Sequence, residues 1–212
     1  MRIKATQRYN ASAMKIKPYV FRKILHMIAV CITVVILLRI DTWYHVAYAC
    51  LFAIALIYPL LSLFEKYQAY HRFFVEKGPG EVKLSLVLLF VMLMILSTVG
   101  WGLFHERYLV LAALLMWGLG DASAALIGIP YGKHKIGRKS VEGSLAMFIV
   151  AFVSGLIVLY NFEPFSLTKT VLVSFVSAVI AMLTEFFSDS RFDTFSVPIM
   201  TLAVLLLLKS VL

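Results

Sequence analysis

Chemically active side chains interrupt apolar sequence between Gly118 and Ser144. This stretch holds one carboxylate, Asp121, among small residues, and then a glycine-rich segment with five basic side chains: Lys133, His134, Lys135, Arg138 and Lys139. An ionised side chain near the centre of a bilayer costs about 3 kcal/mol, so an acid in such a setting is a functional candidate by default. Cations and backbone N–H groups are the groups that neutralise phosphates. We therefore interpret the stretch as a polyphosphate and metal site at a membrane surface.

The composition shows that the bilayer must be the solvent for most of the chain. The 212 residues are 62% hydrophobic with a mean hydropathy of +0.92, whereas soluble domains average about 45–50% apolar residues. The net charge of +9 is explained by basic cytoplasmic loops. Nucleic-acid binding is the other usual reason for a basic chain, but the sequence contains no recognisable nucleic-acid-binding motif. Cys31 and Cys50 both lie in apolar runs and indicate neither a disulfide framework nor a zinc site.

Seven apolar segments predict an all-α polytopic integral membrane protein with about seven transmembrane helices. Residues 1–18 are expected to form a basic cytoplasmic tail, and residues 19–212 a single transmembrane catalytic domain. The amino end resembles a signal peptide, but its candidate cleavage triplet Ala47-Tyr48-Ala49 lies inside the second apolar run, so we expect an uncleaved first helix. The predicted spans are 20–39, 43–63, 84–103, 107–127, 141–160, 168–187 and 195–211.

The distribution of cations predicts the orientation of the chain. With the amino terminus in the cytoplasm, four of the 20 Lys and Arg residues lie at outer helix ends, namely Arg39, Arg107, Lys169 and Lys209. The others lie on the cytoplasmic side, which is the asymmetry that membrane proteins show. We therefore predict a cytoplasmic amino terminus and an outside carboxyl terminus. Arg22 and Lys23 are expected to anchor the first helix at lipid headgroups.

This orientation brings distant acids to one membrane face. Asp121 is expected one helical turn before the loop, which begins where Gly128-Ile129-Pro130-Tyr131-Gly132 breaks the fourth helix. Glu142 lies at the start of the fifth helix, Glu185 near the end of the sixth and Asp193 near the start of the seventh. His26 lies near the start of the first helix. All of these positions fall on the cytoplasmic side, where nucleoside triphosphates are available.

Phosphoryl transfer needs groups of these types. Carboxylates such as Asp121, Glu142, Glu185 and Asp193 can hold Mg²⁺, which prefers oxygen ligands. Cations and loop amides neutralise a triphosphate while the protein positions the reacting groups, and Ser140 and Ser144 lie at a helix amino end, which favours anions. A P-loop is excluded for two reasons. Its second glycine is followed directly by Lys and then Ser or Thr, whereas here Arg138 follows Gly137 and displaces Lys139 and Ser140 by one position. In addition, no strand is predicted before the loop.

The sequence GDASAALIG, followed by YGKHKIGRKSVEGS, resembles the polyprenol/dolichol, phytol and diacylglycerol kinase family of membrane lipid kinases. Arg22-Lys23-Ile24-Leu25-His26 is similar to a motif near the amino end of that family. Asp193-Thr194-Phe195-Ser196-Val197-Pro198 is similar to the start of its last helix, although the family's Asp-Asn is Asp193-Thr194 here. The resemblance spans about residues 20–205 and matches the central motif at Gly120, Asp121, Ala122, Ala124, Gly128, Gly132, Lys139, Ser140, Glu142, Gly143 and Ser144.

The resemblance implies transfer of the γ-phosphate of CTP, with Mg²⁺ or a similar divalent cation, to the hydroxyl of a long-chain lipid alcohol in the membrane. Polyprenol, a phytol-like alcohol and diacylglycerol all remain open as acceptors. It implies Asp121, Glu142 and Asp193 as metal ligands, and Asp121, Lys139, Glu142, Glu185 and His26 as catalytic residues. Either Glu185 or Asp121 would orient or deprotonate the hydroxyl. The nucleotide-binding set is Gly128, Gly132, Lys133, Lys135, Arg138, Lys139, Ser140, Gly143 and Ser144.

Two other functions fit parts of the pattern. A CTP-dependent cytidylyltransferase acting on a lipid phosphate would release pyrophosphate, whereas a kinase releases CDP. An ion-coupled transporter would use Asp121 and Glu185 as coupling-ion sites, but such acids are expected near mid-membrane in symmetric broken helices. Here the acids gather at one face, which favours an enzyme.

Overall fold

The computed structural model describes the backbone of residues 2–66, 81–189 and 192–212, and the side chains of 19–66, 82–189 and 192–212. In these ranges seven helical segments are long and apolar enough to cross a membrane, and the third of them, Val82–Leu103, includes a π-helical continuation. This confirms the predicted all-α polytopic fold. The helices are α1 (Arg2–Arg39), α2 (Trp43–Phe64), α3 (Glu81–Ile95), α4 (Arg107–Tyr131), α5 (Val141–Phe162), α6 (Leu167–Phe187) and α7 (Asp193–Val211).

The observed helices extend the predicted spans by a few residues in most cases. Helix α1 begins at Arg2, and its membrane-crossing part is Tyr19–Arg39, so the predicted tail is continuous with the first span. The side chains of that tail lie outside the described ones, and its separation from a catalytic domain stays a prediction. Helix α3 continues directly as a π-helical segment, Leu96–Leu103.

The break predicted at Gly128 is wrong, because α4 continues through Pro130 to Tyr131. A proline deprives a helix of one N–H donor, and this loss is tolerated in the last turn. The N–H of Gly132 then donates to the Gly128 carbonyl at 3.2 Å and closes the helix. Asp121 therefore lies about three turns from the loop, or roughly 15 Å at 1.5 Å per residue, and not one turn from it as predicted.

Helix α4 forms the centre of the bundle and packs against α1, α5 and α7. Its small residues allow neighbouring helices to approach closely, which is how helices associate in membranes. A Cβ added to Gly118 would lie 2.5 Å from Val30 Cγ2 of α1, and one added to Gly143 of α5 would lie 2.7 Å from the Ala124 carbonyl of α4. The crossing of α4 and α5 thus depends on backbone contact between these small residues.

A short hairpin connects α4 to α5. Strand β1 (Lys135–Ile136) pairs antiparallel with β2 (Lys139–Ser140), and Gly137 at the turn has a φ of 64°. A two-residue hairpin requires positive φ at its turn, which glycine adopts without strain. The sequence pattern predicts only a loop here, and that prediction is wrong because the segment forms a hairpin. We call the end of the bundle that carries it the hairpin end.

The opposite end is held by a second set of charges. Lys209 of α7 donates to Glu106, before α4, at 2.5 Å and to Glu163, after α5, at 2.6 Å. Nearby, Arg107 donates to the Leu37 carbonyl of α1 and its guanidinium lies 4.6 Å from the centre of the Trp101 ring. These contacts join α1, α4, α5 and α7 at the end farthest from the hairpin.

Candidate active site

Lys139 lies at the centre of a charged cluster at the hairpin end. Its Nζ lies 2.8 Å from Glu185 Oε1 and 3.2 Å from Asp193 Oδ2, and it also donates to the backbone carbonyl of Glu185. The Lys139 side chain is 15% exposed and each carboxylate side chain 9%. The structure therefore joins three predicted site residues from β2, α6 and α7, and gives their cluster a net charge of −1.

The two carboxylates are positioned by the junction of α6 and α7. Glu185 lies in the last turn of α6, on the face that carries the fully buried Ala178 and Ala181. Asp193 is the first residue of α7, where the helix dipole favours a negative charge. The Oγ atoms of Ser188 and Ser196 lie 2.9 Å apart, which ties the end of α6 to the first turn of α7.

Asp121 forms a separate ion pair with Lys23. The Lys23 Nζ on α1 lies 2.5 Å from Asp121 Oδ2 on α4, and the two side chains are 15% and 19% exposed. The expected anchoring of Lys23 at lipid headgroups is therefore wrong, because its ammonium turns into the bundle. The only sequence signal for this pair was the presence of both charges within apolar segments, since the partners lie 98 residues apart.

His26 lies one turn along α1 from Lys23 and packs against α4. Its ring meets that of Trp117 edge to face, with centroids 5.2 Å apart and planes at 84°. Trp117 is itself one turn from Asp121 and is 1% exposed. His26 is thus beside the Lys23–Asp121 pair. Trp117 is not among the site residues predicted from sequence.

Glu142 holds the connection that leads into the hairpin. Its carboxylate accepts the His134 backbone N–H at 3.1 Å and lies 2.8 Å from His134 Nδ1. The N–H of Val141 donates to the His134 carbonyl at 3.0 Å. These contacts fix the start of α5 to the loop at His134. The role of Glu142 as a metal ligand stays a prediction.

The other predicted nucleotide-binding residues divide into two groups. Ser140 caps α5, because its Oγ accepts the Gly143 N–H at 3.1 Å, and a Cβ added to Gly128 would lie 2.8 Å from that Oγ. Gly132 also packs against Ser140, and Ser144 is buried in the first turns of α5. The second group, Lys133, Lys135 and Arg138, is exposed on the hairpin segment, with Arg138 4.0 Å from Asp189.

Each of the predicted metal ligands contacts a different basic side chain. Asp121, Glu142 and Asp193 contact Lys23, His134 and Lys139 respectively. Among the described residues no three His, Cys, Asp or Glu side chains are grouped as a metal site would require. The Lys139 ammonium is nevertheless surrounded by the Glu185 and Asp193 carboxylates and a backbone carbonyl, and such oxygen donors are the chemical type that Mg²⁺ prefers.

Glu142, Glu185 and Asp193 lie at the hairpin end, which agrees with the predicted gathering of acids. Asp121 lies farther along the bundle, about 15 Å along α4 from the loop, beside Lys23 near the start of the membrane-crossing part of α1. The membrane side that the hairpin end faces stays a prediction.

Comparisons with known proteins give one distant relationship. Over 139 residues the chain is 29% identical to a protein named "Phytol kinase 1, chloroplastic" from Arabidopsis thaliana. The match covers 60% of this chain and 44% of the relative, so the chain spans less than half of that protein's length. No family model matches the chain, and no solved structure matches it. The chain is a multi-helix membrane protein with a distant similarity to a phytol kinase.

Proposed function

We propose that the protein is a membrane lipid kinase that transfers the γ-phosphate of CTP to the hydroxyl of a long-chain lipid alcohol. The observation that supports this most directly is the Lys139 ammonium, held between Glu185 and Asp193 beside the amino end of α5. The cluster combines a cation for phosphate with carboxylates for a metal at the end of an apolar helix bundle. The similarity to a protein named a phytol kinase supports an alcohol as the acceptor.

The phosphates would bind where positive charge is concentrated. Lys139 leaves its two carboxylates and contacts the β- and γ-phosphates, while the exposed Lys133, Lys135 and Arg138 attract the nucleotide from water. The helix dipole of α5 adds positive potential near Ser140 and Ser144. In this arrangement the chain contributes mainly positioning and charge neutralisation, which is what phosphoryl transfer requires.

A divalent cation fits the donors that Lys139 would leave. Glu185 and Asp193 are the pair that the structure brings together, and Asp121 and Glu142 are further ligand candidates from the sequence. A bound Mg²⁺ would neutralise charge on the phosphate oxygens. The carboxylates also keep Lys139 in place before the nucleotide binds, because each lies within hydrogen-bond distance of its ammonium.

The acceptor alcohol would react beside Asp121. Helix α1 packs mainly against α4, and its other faces expose apolar side chains such as Leu25 and Ile28, so a lipid can approach this pair of helices from the bilayer. The Asp121 carboxylate accepts the hydroxyl proton as the alcohol oxygen bonds to the γ-phosphorus. The bond from that phosphorus to the bridging oxygen breaks, and CDP leaves.

The orientation is part of the proposal. The hairpin end would face the cytoplasm, where CTP is available, in agreement with the distribution of cations. A cysteine introduced at Lys135 should then react with a membrane-impermeant maleimide only from the cytoplasmic side of sealed vesicles, and one at Lys169 only from the other side. The reverse pattern would contradict the proposed orientation.

The enzymatic test uses purified protein, labelled CTP or ATP, and a panel of polyprenol, phytol and diacylglycerol. We expect a phosphorylated lipid and CDP, and loss of most turnover in Lys139→Ala, because one electrostatic contact to the transferred group is worth about 10²–10³ in rate. Arg39→Ala, at an exposed position of the opposite end, is the matched control. Release of pyrophosphate would instead identify a cytidylyltransferase. Failure to turn over a nucleotide with any lipid of the panel would refute the proposal.

A further inference from the structure

Two buried ring nitrogens lie without partners between α1 and α4. His26 Nε2 and Trp117 Nε1 have no hydrogen-bond partner among the described residues, and both atoms are shielded from solvent. Each lies one turn from a member of the Lys23–Asp121 ion pair. We define His26 and Trp117 together as the ring pair.

An unpaired polar group is expensive to bury. Leaving a buried donor without an acceptor costs about 1–3 kcal/mol, and buried polar groups in native proteins are almost always paired. The edge-to-face contact of the two rings explains why they pack together. It does not account for the buried, unpaired N–H of Trp117, which a phenylalanine at this position would lack.

The chemistry of the ring pair selects a neutral oxygen as its ligand. The Trp117 indole can only donate, while His26 Nε2 can donate or accept according to its tautomer. A phosphate is disfavoured because Lys23, the cation one turn from His26, is already paired with Asp121, and the Asp121 carboxylate would repel an anion. A hydroxyl on a hydrocarbon chain fits, because its oxygen can accept from Trp117 while its chain remains among the exposed apolar residues of α1.

We propose that the ring pair is the subsite for the acceptor hydroxyl. Trp117 Nε1 and His26 Nε2, the latter in its Nε2–H tautomer, both donate to the hydroxyl oxygen, so the hydroxyl proton is left to point toward Asp121. The ring pair thereby distinguishes an alcohol from the surrounding lipid chains before phosphoryl transfer. This assignment rests on the proposed lipid-kinase function for the fate of the hydroxyl, but binding of the alcohol can be measured without turnover.

The kinetic test separates the two substrates. Trp117→Phe keeps an aromatic ring against His26 and removes the N–H. We expect the KM for phytol to rise about tenfold, the usual scale for one such hydrogen bond, with the KM for CTP unchanged; His26→Leu should act in the same direction. Trp43→Phe, at a tryptophan that packs against Gly102 of the π-helical segment, is the control. An unchanged phytol KM in both ring-pair variants would overturn the subsite even if the protein is a kinase.

The binding test keeps the ring pair intact. In a Trp43→Phe, Trp101→Phe variant, Trp117 is the sole tryptophan, since the chain has three. We expect its fluorescence to shift on addition of phytol, in the absence of nucleotide, and not on addition of phytane, the corresponding alkane. An equal response to phytane, or no response to phytol, would overturn the proposal. An alcohol-specific response without any turnover would support the subsite and refute the kinase function.

Discussion

Replacing Lys139 by methionine tests whether its ammonium stabilises the resting protein as well as serving the reaction. The substitution keeps an unbranched side chain that is shorter by one atom, and it removes the charge that lies 2.8 Å from Glu185 and 3.2 Å from Asp193. Both carboxylates are mostly buried, so the two negative charges would be left together without a counter-ion.

The expected loss of stability follows from this burial. Removing one partner of a buried ion pair costs about 3–5 kcal/mol, because the other charge stays buried and unpaired. For a chain of this size each kcal/mol shifts the melting temperature by about 2–4 °C, so Lys139→Met should lower it by about 10 °C. Asp193→Asn in the same chain removes one of the stranded charges and should recover about half of that loss without restoring activity.

Thermal unfolding in detergent, followed by tryptophan fluorescence, measures both effects. Lys135→Met is the matched control, because Lys135 is exposed on the neighbouring strand of the hairpin and surface charges contribute little to stability. If Lys139→Met and Lys135→Met melt at the same temperature, then the carboxylates do not depend on Lys139 in the resting protein, and the structural reasoning is refuted.

Three further outcomes are expected. Asp121→Asn should lower turnover of the lipid alcohol by 10²-fold or more, the usual range for a lost general base, while the KM for CTP stays within about twofold; turnover close to that of the parent protein would refute its role as base. Gly143→Ala should lower the free energy of unfolding by about 1–3 kcal/mol, since its Cβ would meet the Ala124 carbonyl, whereas Gly155→Ala meets the flexible Met116 side chain and should cost less in the same melting assay. EDTA should abolish turnover and Mg²⁺ restore it, with the melting temperature of nucleotide-free protein unchanged because the carboxylates are already paired; EDTA-resistant turnover would exclude the metal.

The helices were predictable from sequence because each apolar run is long enough to cross a bilayer and is bounded by polar residues. The extent of α4 was not predictable, because a proline such as Pro130 usually indicates a helix break but costs only one hydrogen bond near the end of a helix. The hairpin was also missed, because strands of two residues carry no alternating pattern that could distinguish them from a loop.

The sequence predicts which residues belong to the site better than it predicts which of them contact each other. Glu185 and Asp193 were expected at the same face as Lys139 because helix number and direction decide which ends meet. The pairing of Asp121 with Lys23 depends on which faces of α1 and α4 pack together, and hydropathy does not determine this. Trp117 was missed for the same reason, since a tryptophan in an apolar helix has no distinguishing local pattern.

The lysine pairs have a consequence for the order in which the chain is made. Lys23 precedes Asp121, and Lys139 precedes both Glu185 and Asp193, so in these two groups of the candidate site each acid is synthesised after the cation that it contacts. At the opposite end the order is reversed, and Glu106 and Glu163 are made before Lys209. During synthesis the future active site can therefore be neutralised helix by helix, whereas the opposite end is neutralised only when the last helix is in place. Completion of α7 would then be the step that commits the bundle to its final packing.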